Sequence, residues 1–400
     1  MAHGFTVDAA RALPGPDWLA ARRVGAAERL TELSWPTAGE DLWRFSPIER
    51  FDPDRYPPEP TPPARWHGLD PSLASKGVVT GALSEVDDDL LRGLLGTVAS
   101  ASEDVFTVLH DAFLTDVAFV HVPAGVVVDT PIVIEHRADG EGGATFPHAL
   151  VVIDEGAEAT VLERVVSDDA RRLVVPVVEL LVGDGANLRY ASVQQHGTGT
   201  WQLALQRAHI GRDATLRASA VALGGDYARL RSEARLDGEG ADSDLLAVYF
   251  GDGDQTLDFR TLQDHVAPRT RSSLLFKGAV EERAHSVYSG LIHIRPQAQR
   301  SDAFQTNRNL VLTEGAGAES IPNLEIEAND VRCSHASTVG PIDEEQLYYL
   351  ETRGVPPADA ERLIVLGFFD DVFDRLSVPE LVEPLRAEVD EKVGRLSARG

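Results

Sequence analysis

Cysteine and positive charge are both scarce in this chain of 400 residues, which contains one cysteine, Cys333. A lone cysteine excludes an internal disulfide framework and any metal site built from cysteines alone. Lysine and arginine number 37 against 64 aspartates and glutamates, which gives a formal net charge of -27. Binding to nucleic acid and adhesion to anionic membranes both depend on cationic side chains, so this charge argues against both kinds of partner.

Long apolar runs are also missing, and without about 18 consecutive apolar residues no membrane-spanning helix is expected. The first residues lack the basic segment and apolar stretch of a secretory signal, so we expect a soluble, cytoplasmic protein. The chain has no G-x-x-x-x-G-K-[ST] phosphate loop, no G-x-S-x-G elbow, no H-E-x-x-H and no C-x-x-C. The common motifs for nucleotide hydrolysis, acyl transfer and zinc chemistry are therefore absent from the sequence.

The N-terminal part is expected to hold helices and a linker. Residues 16–33 combine a proline suited to the first helical turn with Ala, Leu, Arg and Glu, which predicts a helix. From Phe51 the chain is rich in proline, which favours an extended linker, so 1–66 is assigned to a helical region with a proline-rich linker. A mixed connector is expected over 67–104, with one short helix from Asp87 to Gly96.

Short β-rich runs separated by Gly, Asp and Asn begin at about Val105 and carry a weak repeat. The repeated units align on Ala157, Ala186, Ala214 and Ala241, at spacings of 29, 28 and 27 residues. A period in this range is typical of solenoids, in which each coil buries its apolar face on its neighbours. We therefore predict a mainly β fold with a β-helix core of about eight coils over 105–340. A β-sandwich or jelly roll, which also has many short strands, is the alternative.

Helical patterning returns over 341–400, where Asp343 and Gln346 resemble a capping box. One helical segment there has a large apolar face. Its members are Leu363, Ile364, Phe368, Phe369, Val372 and Phe373. Such a face packs on the β-helix or docks a partner, and the residues alone leave both open. The two ends of a β-helix also expose strand edges, which need a helical cap or pairing with another chain.

The run from Asp330 to His335 is the one local group that suggests chemistry. On a strand, Cys333 and His335 would project to the same face, because alternate residues share a face. A thiolate and an imidazole suit iron or another thiophilic metal. Two ligands cannot complete a tetrahedral shell, so a metal held there would need further ligands from another chain. The alternative is a buried cysteine beside a hydrogen-bonded histidine.

Several further motifs surround this run. They are Gln305-x-Asn307-x-Asn309-Leu310, Pro322-Asn323-Leu324-Glu325-Ile326, Cys333-Ser334-His335, Thr338-x-Gly340, Leu347-Tyr348-Tyr349-Leu350 and Arg353-Gly354. Upstream lie Trp43-Arg44-Phe45, DHVAPRT (264–270), FKG (276–278) and SVYSG (286–290). Together these motifs make the chain similar to the SufB/SufD family of iron–sulfur cluster assembly proteins. The resemblance covers most of the chain, is specific over about 264–373 and is thinner through the repeat region.

Two positions make the chain most similar to the SufD subunit of that family. SufB has a cysteine directly after the glutamine that corresponds to Gln305, where this chain has Thr306. SufB also has a glutamate where this chain has His335. The Cys-Ser-His run and the overall length resemble SufD. Ala336 and Ser337 depart from the commoner continuation of that run, which weakens the turn expected there and retains both candidate ligands.

The resemblance implies a right-handed parallel β-helix with helical ends, in agreement with the repeat. It also implies a SufBCD complex, in which this chain pairs with a SufB-like scaffold and its C-terminal helices bind a SufC-like ATPase. The chain would then be a non-catalytic subunit that aids iron acquisition, with ATP hydrolysis supplied by the SufC-like partner. His335, with Cys333, would lie at the interface with SufB, where the nascent cluster forms.

These implications set the expected sites and the alternatives. No catalytic residue is expected, and His335 and Cys333 are metal candidates shared with the partner chain. Iron or an iron–sulfur cluster would be transient at that interface and not held stably by this chain alone. The apolar C-terminal face would dock the SufC-like ATPase. The alternatives are a SufB-like homodimeric scaffold, against which Thr306 argues, and a freestanding β-helix enzyme that cleaves carbohydrate with paired carboxylates.

Overall fold

The computed structural model describes residues 4–99 and 104–397, so the outermost residues of both predicted terminal regions and 100–103 of the connector lie outside the described part. Seven α-helices occur in the described chain. They are α1 Val7–Ala12, α2 Asp17–Leu30, α3 Asp88–Leu94, α4 Val105–Phe113, α5 Glu344–Thr352, α6 Pro357–Phe373 and α7 Val382–Ser397. None of these helices is both long and apolar enough to cross a membrane.

Most of the chain between α4 and α5 forms strands, and two short strands precede α3. In chain order they are β1 Arg65–His67, β2 Val79–Gly81, β3 Ala118–Val122, β4 Ile132–Ala138, β5 Ala144–Thr145, β6 His148–Ile153, β7 Glu158–Ser167, β8 Arg172–Val174, β9 Val177–Val182, β10 Asn187–Gln195, β11 Thr200–Ile210, β12 Thr215–Ala222, β13 Tyr227–Leu236, β14 Asp242–Gly251, β15 Thr256–His265, β16 Arg271–Val280, β17 His285–Ile294, β18 Asp302–Val311, β19 Gly317–Ile326 and β20 Arg332–Gly340.

Successive long strands alternate between two sheets, so each pair of strands forms one turn of a solenoid. The front sheet has the order β1-β4-β7-β10-β12-β14-β16-β18-β20, and the back sheet runs β19-β17-β15-β13-β11-β9-β6-β3-β2. Pairing along both sheets is parallel from β4 to β20 and from β3 to β19. This pairing excludes the β-sandwich, whose sheets are antiparallel. The predicted β-helix core is confirmed as a β-solenoid of about eight turns, flanked by helices.

Small residues at the turns let successive coils stack closely. Ala157, Ala186, Ala214 and Ala241 are completely buried, and each directly precedes a strand of the front sheet. The amide that follows each later alanine donates to the carbonyl oxygen of the alanine one turn earlier, at 2.8 to 2.9 Å. The repeat read from the sequence is therefore the register of the solenoid, and the buried methyl groups mark its corners.

The helix predicted over 16–33 is shorter at its C-terminal end, where α2 stops at Leu30. Thr31 closes the last turn, because its amide and its hydroxyl both donate to the carbonyl of Glu28, at 3.1 and 2.7 Å. Such local bonds compete with continuation of the helix. Leu33 consequently lies outside the helix and is 43% exposed. The short helix expected from Asp87 to Gly96 is present as α3, capped by the carboxylate of Asp87.

The stretch from Val105 to Phe113, expected to open the solenoid, is the helix α4. The carboxylate of Asp104 accepts hydrogen bonds from the amides of Phe106 and Thr107 at 2.8 and 3.0 Å, which starts the helix. All nine residues of α4 are buried. Its polar residues Thr107, His110 and Asp111 recur at helical spacing and are buried, and the short apolar pairs between them resemble strand segments. The first strand of the parallel ladders begins at Ala118.

The two helical regions cover the outer faces of the two sheets. Residues of α1, α2 and α4 pack with Trp201 and Leu203 of the back sheet. Residues of α6 and α7 pack on the front sheet, in a cluster that includes Val193 and Val248. Buried Lys277 of the front sheet reinforces this contact, because its ammonium donates to the carbonyl of Phe368 at 2.7 Å and pairs with the Asp371 carboxylate.

The two ends of the solenoid are finished differently. At the N-terminal end, β1 and β2 pair antiparallel with the first strands of the two sheets. At the C-terminal end, β20 pairs only with β18, and β19 only with β17, among the residues that the structure describes. No residue of α5, which follows β20, is buried. The apolar side chains of Phe304, Ile326 and Val339 are 43 to 45% exposed near this open end.

Ala186→Leu should lower the free energy of unfolding by ~1–3 kcal/mol, because the larger side chain must fit between the neighbouring turns at a fully buried corner. Asn187→Leu is the matched control, since it introduces the same side chain one residue later at an exposed position. Chemical denaturation followed by circular dichroism measures both. Equal denaturation midpoints for the two variants would contradict the assigned register.

Candidate functional site

Cys333 and His335 both lie on β20, the last strand of the front sheet. Cys333 is in register with Ala303 and His335 with Gln305 on the neighbouring strand β18. Ala303 and Gln305 are buried, while Phe304 between them is exposed, so the odd-numbered positions of β18 face the interior of the solenoid. By strand alternation the candidate thiol and imidazole therefore share the inner face at the open end.

The two candidate ligands differ in their surroundings. Cys333 is half-buried and packs against a small apolar cluster that includes Ile292, Ile294 and Ala303. Loss of water around the thiol raises the pKa of Cys333 from an ordinary value of 9.0 to about 11. His335 is exposed to solvent. In the chain by itself the sulfur is therefore a protonated thiol, and the imidazole is accessible from solvent at the open end of the solenoid.

The inner row of β20 continues to Ser337, which the sequence reasoning did not single out as a site residue. The hydroxyl of Ser337 donates to the hydroxyl of Ser320 on β19 at 2.7 Å, so a side-chain bond joins the two edge strands across the opening. Alternation along the strand predicts that Ser337 shares a face with His335. The sequence does not reveal its partner, because the pairing of opposite sheets depends on the width of the solenoid.

Gln305 lies directly beneath His335 and is held on both sides. Its side-chain oxygen accepts from the hydroxyl of Tyr288 at 3.1 Å, and its amide nitrogen donates to the carbonyl of Asn323 at 3.1 Å. This position could be found from the sequence, since the separation of Gln305 and His335 is close to one turn of the repeat. Thr306 is in register with Ala336 and faces away from the interior.

The motif that contains Gln305 continues with two buried asparagines that form a polar layer inside the solenoid. The hydroxyl of Tyr249 donates to Asn309 at 2.6 Å and accepts from Asn307 at 2.9 Å, and Asn309 donates to Asn307 at 2.8 Å. Gly278 lies beside this layer, where a β-carbon would overlap the ring of Tyr249. A β-carbon at Gly290 would overlap the hydroxyl of Tyr288 in the same way. Much of this motif therefore supports the strand beneath β20.

A complete metal site is not formed by this chain over residues 4–99 and 104–397, where no group of three or more His, Cys, Asp or Glu side chains is arranged to hold an ion. Cys333 and His335 are brought to one face of one strand. The structure shows no third ligand with them, and their role as metal ligands stays a prediction.

The apolar face expected to dock a partner is divided by the structure. Phe369, Val372 and Phe373 are completely buried between α6 and the front sheet, so these three are unavailable to another chain in this arrangement. Their burial follows from the helical period, which turns one stripe of α6 toward the sheet. Leu363 is 53% exposed, and Ile364 and Phe368 are partly exposed. The docking prediction is therefore confined to these last three side chains.

Comparison with known families agrees with the fold, and the matched region includes the strand β20. The chain matches the SUF system FeS cluster assembly SufBD core domain over residues 136–368. It matches the SufBD protein N-terminal region over residues 67–134. The core match alone covers more than half of the chain. This chain belongs to the SufBD family of iron–sulfur cluster assembly proteins, as the motifs predicted.

Curated relatives agree along nearly the whole length. An iron-sulfur cluster assembly SufBD family protein of Mycobacterium tuberculosis is 36% identical over 366 residues, which cover 90% of this chain and 89% of the relative. A SufBD family protein of Mycobacterium leprae is 32% identical, with 93% and 94% covered. The iron-sulfur cluster assembly protein SufD of Bacillus subtilis is 29% identical, with 86% and 80% covered. These matches leave the carbohydrate-cleaving alternative without support.

Alkylation of Cys333 should be slow at pH 8 and should accelerate as the pH rises toward about 11, because only the thiolate attacks and burial raises the thiol pKa to that value. Relative to an ordinary thiol with a pKa of 9.0, the rate at pH 8 should be lower by roughly a hundredfold. Since the chain has one cysteine, iodoacetamide labelling reports this site alone. The chain unfolded in guanidinium is the control, and equal native and unfolded rates at pH 8 would contradict the assigned burial.

Proposed function

We propose that this chain is the SufD-like subunit of a SufBCD complex, paired with a SufB-like scaffold and a SufC-like ATPase. In this complex it aids iron acquisition and nascent cluster assembly at the interface with the scaffold. It acts as a non-catalytic subunit, and ATP hydrolysis belongs to the SufC-like partner. The observation that carries the proposal is that Cys333 and His335 lie on an open edge strand.

The open edges of β19 and β20 support pairing with a second chain. An edge strand presents unpaired amide and carbonyl groups, and a strand of another solenoid is the natural partner for them. Exposed Ile326 and Val339 lie at the same end of the molecule and would be covered by such pairing. A partner that extends both sheets would also close the interior around the inner face of β20.

The same pairing accounts for how two candidate ligands could contribute to a cluster. A Cys–His pair leaves a tetrahedral ion incompletely coordinated, so the scaffold would supply the remaining ligands. Iron or a nascent cluster is here the cargo, bound transiently at the interface. Binding of metal to Cys333 requires loss of the thiol proton, and the raised pKa of this thiol opposes that loss in the isolated chain. This arrangement favours metal binding only after the partner is in place.

The exposed part of α6 supports docking of the ATPase. Leu363 and Ile364 lie on the side of the helix away from the buried stripe that holds α6 to the front sheet, and Phe368 lies at the border of that stripe, where it packs against the buried cluster. Lys277 binds the carbonyl of Phe368, which anchors this part of the helix to the strand β16. A nucleotide-dependent movement of the ATPase would therefore be transmitted through α6 to the solenoid.

His335→Ala should lower the yield of assembled cluster by about tenfold or more, as loss of a group that supports a metal site typically does. Because the side chain is exposed and makes no contribution to a buried cluster, the complex itself should form normally. Anaerobic reconstitution with the co-purified partners, followed by iron and sulfide content, measures the yield. Pull-down stoichiometry measures assembly of the complex.

Ser334→Ala is the matched control for His335→Ala, since it removes a polar side chain from the adjacent, oppositely facing position of the same strand. It should leave both cluster yield and stoichiometry unchanged. Full cluster yield with His335→Ala would contradict the role proposed for this histidine. Stable, stoichiometric cluster on the isolated chain would instead favour the homodimeric scaffold.

Leu363→Glu should weaken co-purification of the ATPase by at least about tenfold, because docking would bury an unpaired carboxylate at the contact. Leu33→Glu, at another exposed leucine in the N-terminal region, is the control and should leave the ATPase bound. Quantitative pull-down from the native cytosol compares the two. If both variants retain equal amounts of the ATPase, the docking surface does not include Leu363.

A further inference from the structure

A cavity of about 340 Å³ lies on the outer face of the back sheet, away from the inner face of β20. The strands β11, β13, β15 and β17 form its floor, and the segment around Trp43 and the start of α4 form its walls. This volume lies in the range of sites that bind small organic molecules. The proposed role in cluster assembly makes no use of this cavity.

The surface of the cavity is largely apolar. Its floor includes four leucines, which are Leu203 and Leu205 of β11, Leu262 of β15 and Leu291 of β17. The rings of Trp43 and Phe106 form the apolar part of the walls, with their centroids 5.4 Å apart. Removal of apolar surface from water is favourable, so a ligand with an apolar body would gain free energy from contact with these side chains.

The charged side chains at the cavity comprise equal numbers of cations and anions. They are Arg229, Arg231 and Arg260, with Asp104, Glu233 and the completely buried Asp258. Arg260 donates to Asp258 at 2.6 and 3.2 Å, and Arg229 donates to the same carboxylate at 3.3 Å. Arg231 donates to Asp104 at 3.0 Å and pairs with Glu233. The formal charge of these six groups is therefore zero.

A further cation, Arg207 of β11, lies close to this group and is also paired. Its guanidinium donates to Glu233 at 2.7 Å and to the carbonyl of Val98 at 3.3 Å. The residue in register with Arg207 on β9 is Glu179, which is completely buried. Each of these cations therefore contacts a carboxylate, and the cavity offers a ligand no unpaired charge among the described residues.

Two of the arginines also hold the wall that contains Trp43. Arg229 donates to the carbonyl of Leu42 at 2.9 Å, and its guanidinium carbon lies 3.8 Å from the centre of the Trp43 ring. Arg260 donates to the carbonyl of Arg44 at 3.1 Å. These bonds fix the wall before a ligand arrives, which lowers the conformational entropy lost on binding.

Paired charges beside an apolar floor favour a neutral ligand over a charged one. An ionic group that enters the cavity loses its hydration, and the side chains there offer no net opposite charge in its place. The chain as a whole has a net charge of -27, which adds repulsion against an anion. A neutral molecule avoids these costs and retains the gain from apolar contact.

We propose that this cavity binds a neutral small organic molecule with an apolar body. The body would lie on the leucines of the floor and against the rings of Trp43 and Phe106. The site is separate from Cys333 and His335, which face the interior of the solenoid. Its occupancy is therefore measurable whether or not the proposed role in cluster assembly is correct.

The test uses N-phenyl-1-naphthylamine, a neutral apolar fluorophore, titrated onto the purified full-length chain. We expect one saturable site per chain and at least tenfold weaker binding by Ser289→Trp. Ser289 lines the cavity and is in register with Arg260, so an indole there would occupy the ligand volume. Leu291→Trp, from the same strand, is the second variant should the first fail to fold by circular dichroism.

Thr160→Trp is the matched control, because it places an indole on a partly exposed strand position of the front sheet, remote from the cavity. It should bind the fluorophore as the unmodified chain does. Absence of saturable binding, or equal binding by the cavity variants and the unmodified chain, would overturn the site.

A second probe tests the preference for a neutral ligand. The fluorophore 8-anilinonaphthalene-1-sulfonate has the same aromatic skeleton with one added sulfonate, and it should bind at least tenfold more weakly. Asp104→Ser removes one anion from the cavity and retains a side chain that can cap α4. This variant should bind the anionic probe at least threefold more tightly than the unmodified chain does, with the neutral probe unaffected. Equal affinity of the unmodified chain for both probes would overturn the preference, and unchanged binding of the anionic probe by Asp104→Ser would overturn charge balance as its cause.

Discussion

Hydrogen bonds between the backbones of successive turns hold the solenoid together. The last turn has such bonds on one side, and its outer edge has no neighbouring strand among the described residues. At the N-terminal end two short antiparallel strands, β1 and β2, complete the first turn. At the other end β19 and β20 each have one neighbour among the described strands. The free edge is open to pairing with another chain, and it lies on the strand that carries Cys333 and His335. In the proposed complex, this one strand would serve both pairing and metal binding.

The interior beneath that edge is polar where most of the solenoid is apolar. Gln305, Asn307 and Asn309 are buried and bonded to one another or to the hydroxyls of Tyr249 and Tyr288. Buried amides are tolerated only when their hydrogen bonds are made, so this layer admits few arrangements of β18. A rigid neighbour gives β20 a defined position although its own side chains are largely exposed. The buried residues of the Gln305-x-Asn307-x-Asn309 motif thus support the strand that carries the candidate site.

The two outer faces of the solenoid are covered by different helices. The front sheet is covered by α6 and α7, and Leu363 on the uncovered side of α6 is exposed. The back sheet is covered by the N-terminal helices, which leave a cavity where Arg229 and Arg260 meet the segment around Trp43. Arg229 and Arg260 share the carboxylate of Asp258 there, and Arg231 pairs with Asp104 and Glu233.

The sequence by itself determined the solenoid, its register and the common face of Cys333 and His335, because these follow from local period and strand alternation. The helix over 105–113 was not predicted, because its short apolar pairs resemble strand segments, although Thr107, His110 and Asp111 recur at helical spacing. The sequence also could not separate buried Phe369 from exposed Leu363, or place Arg229 at the carbonyl of Leu42, 187 residues away. These contacts depend on how the helices and the N-terminal segment pack on the two sheets. Side-chain packing between distant segments, which no local pattern records, was decided by the tertiary structure alone.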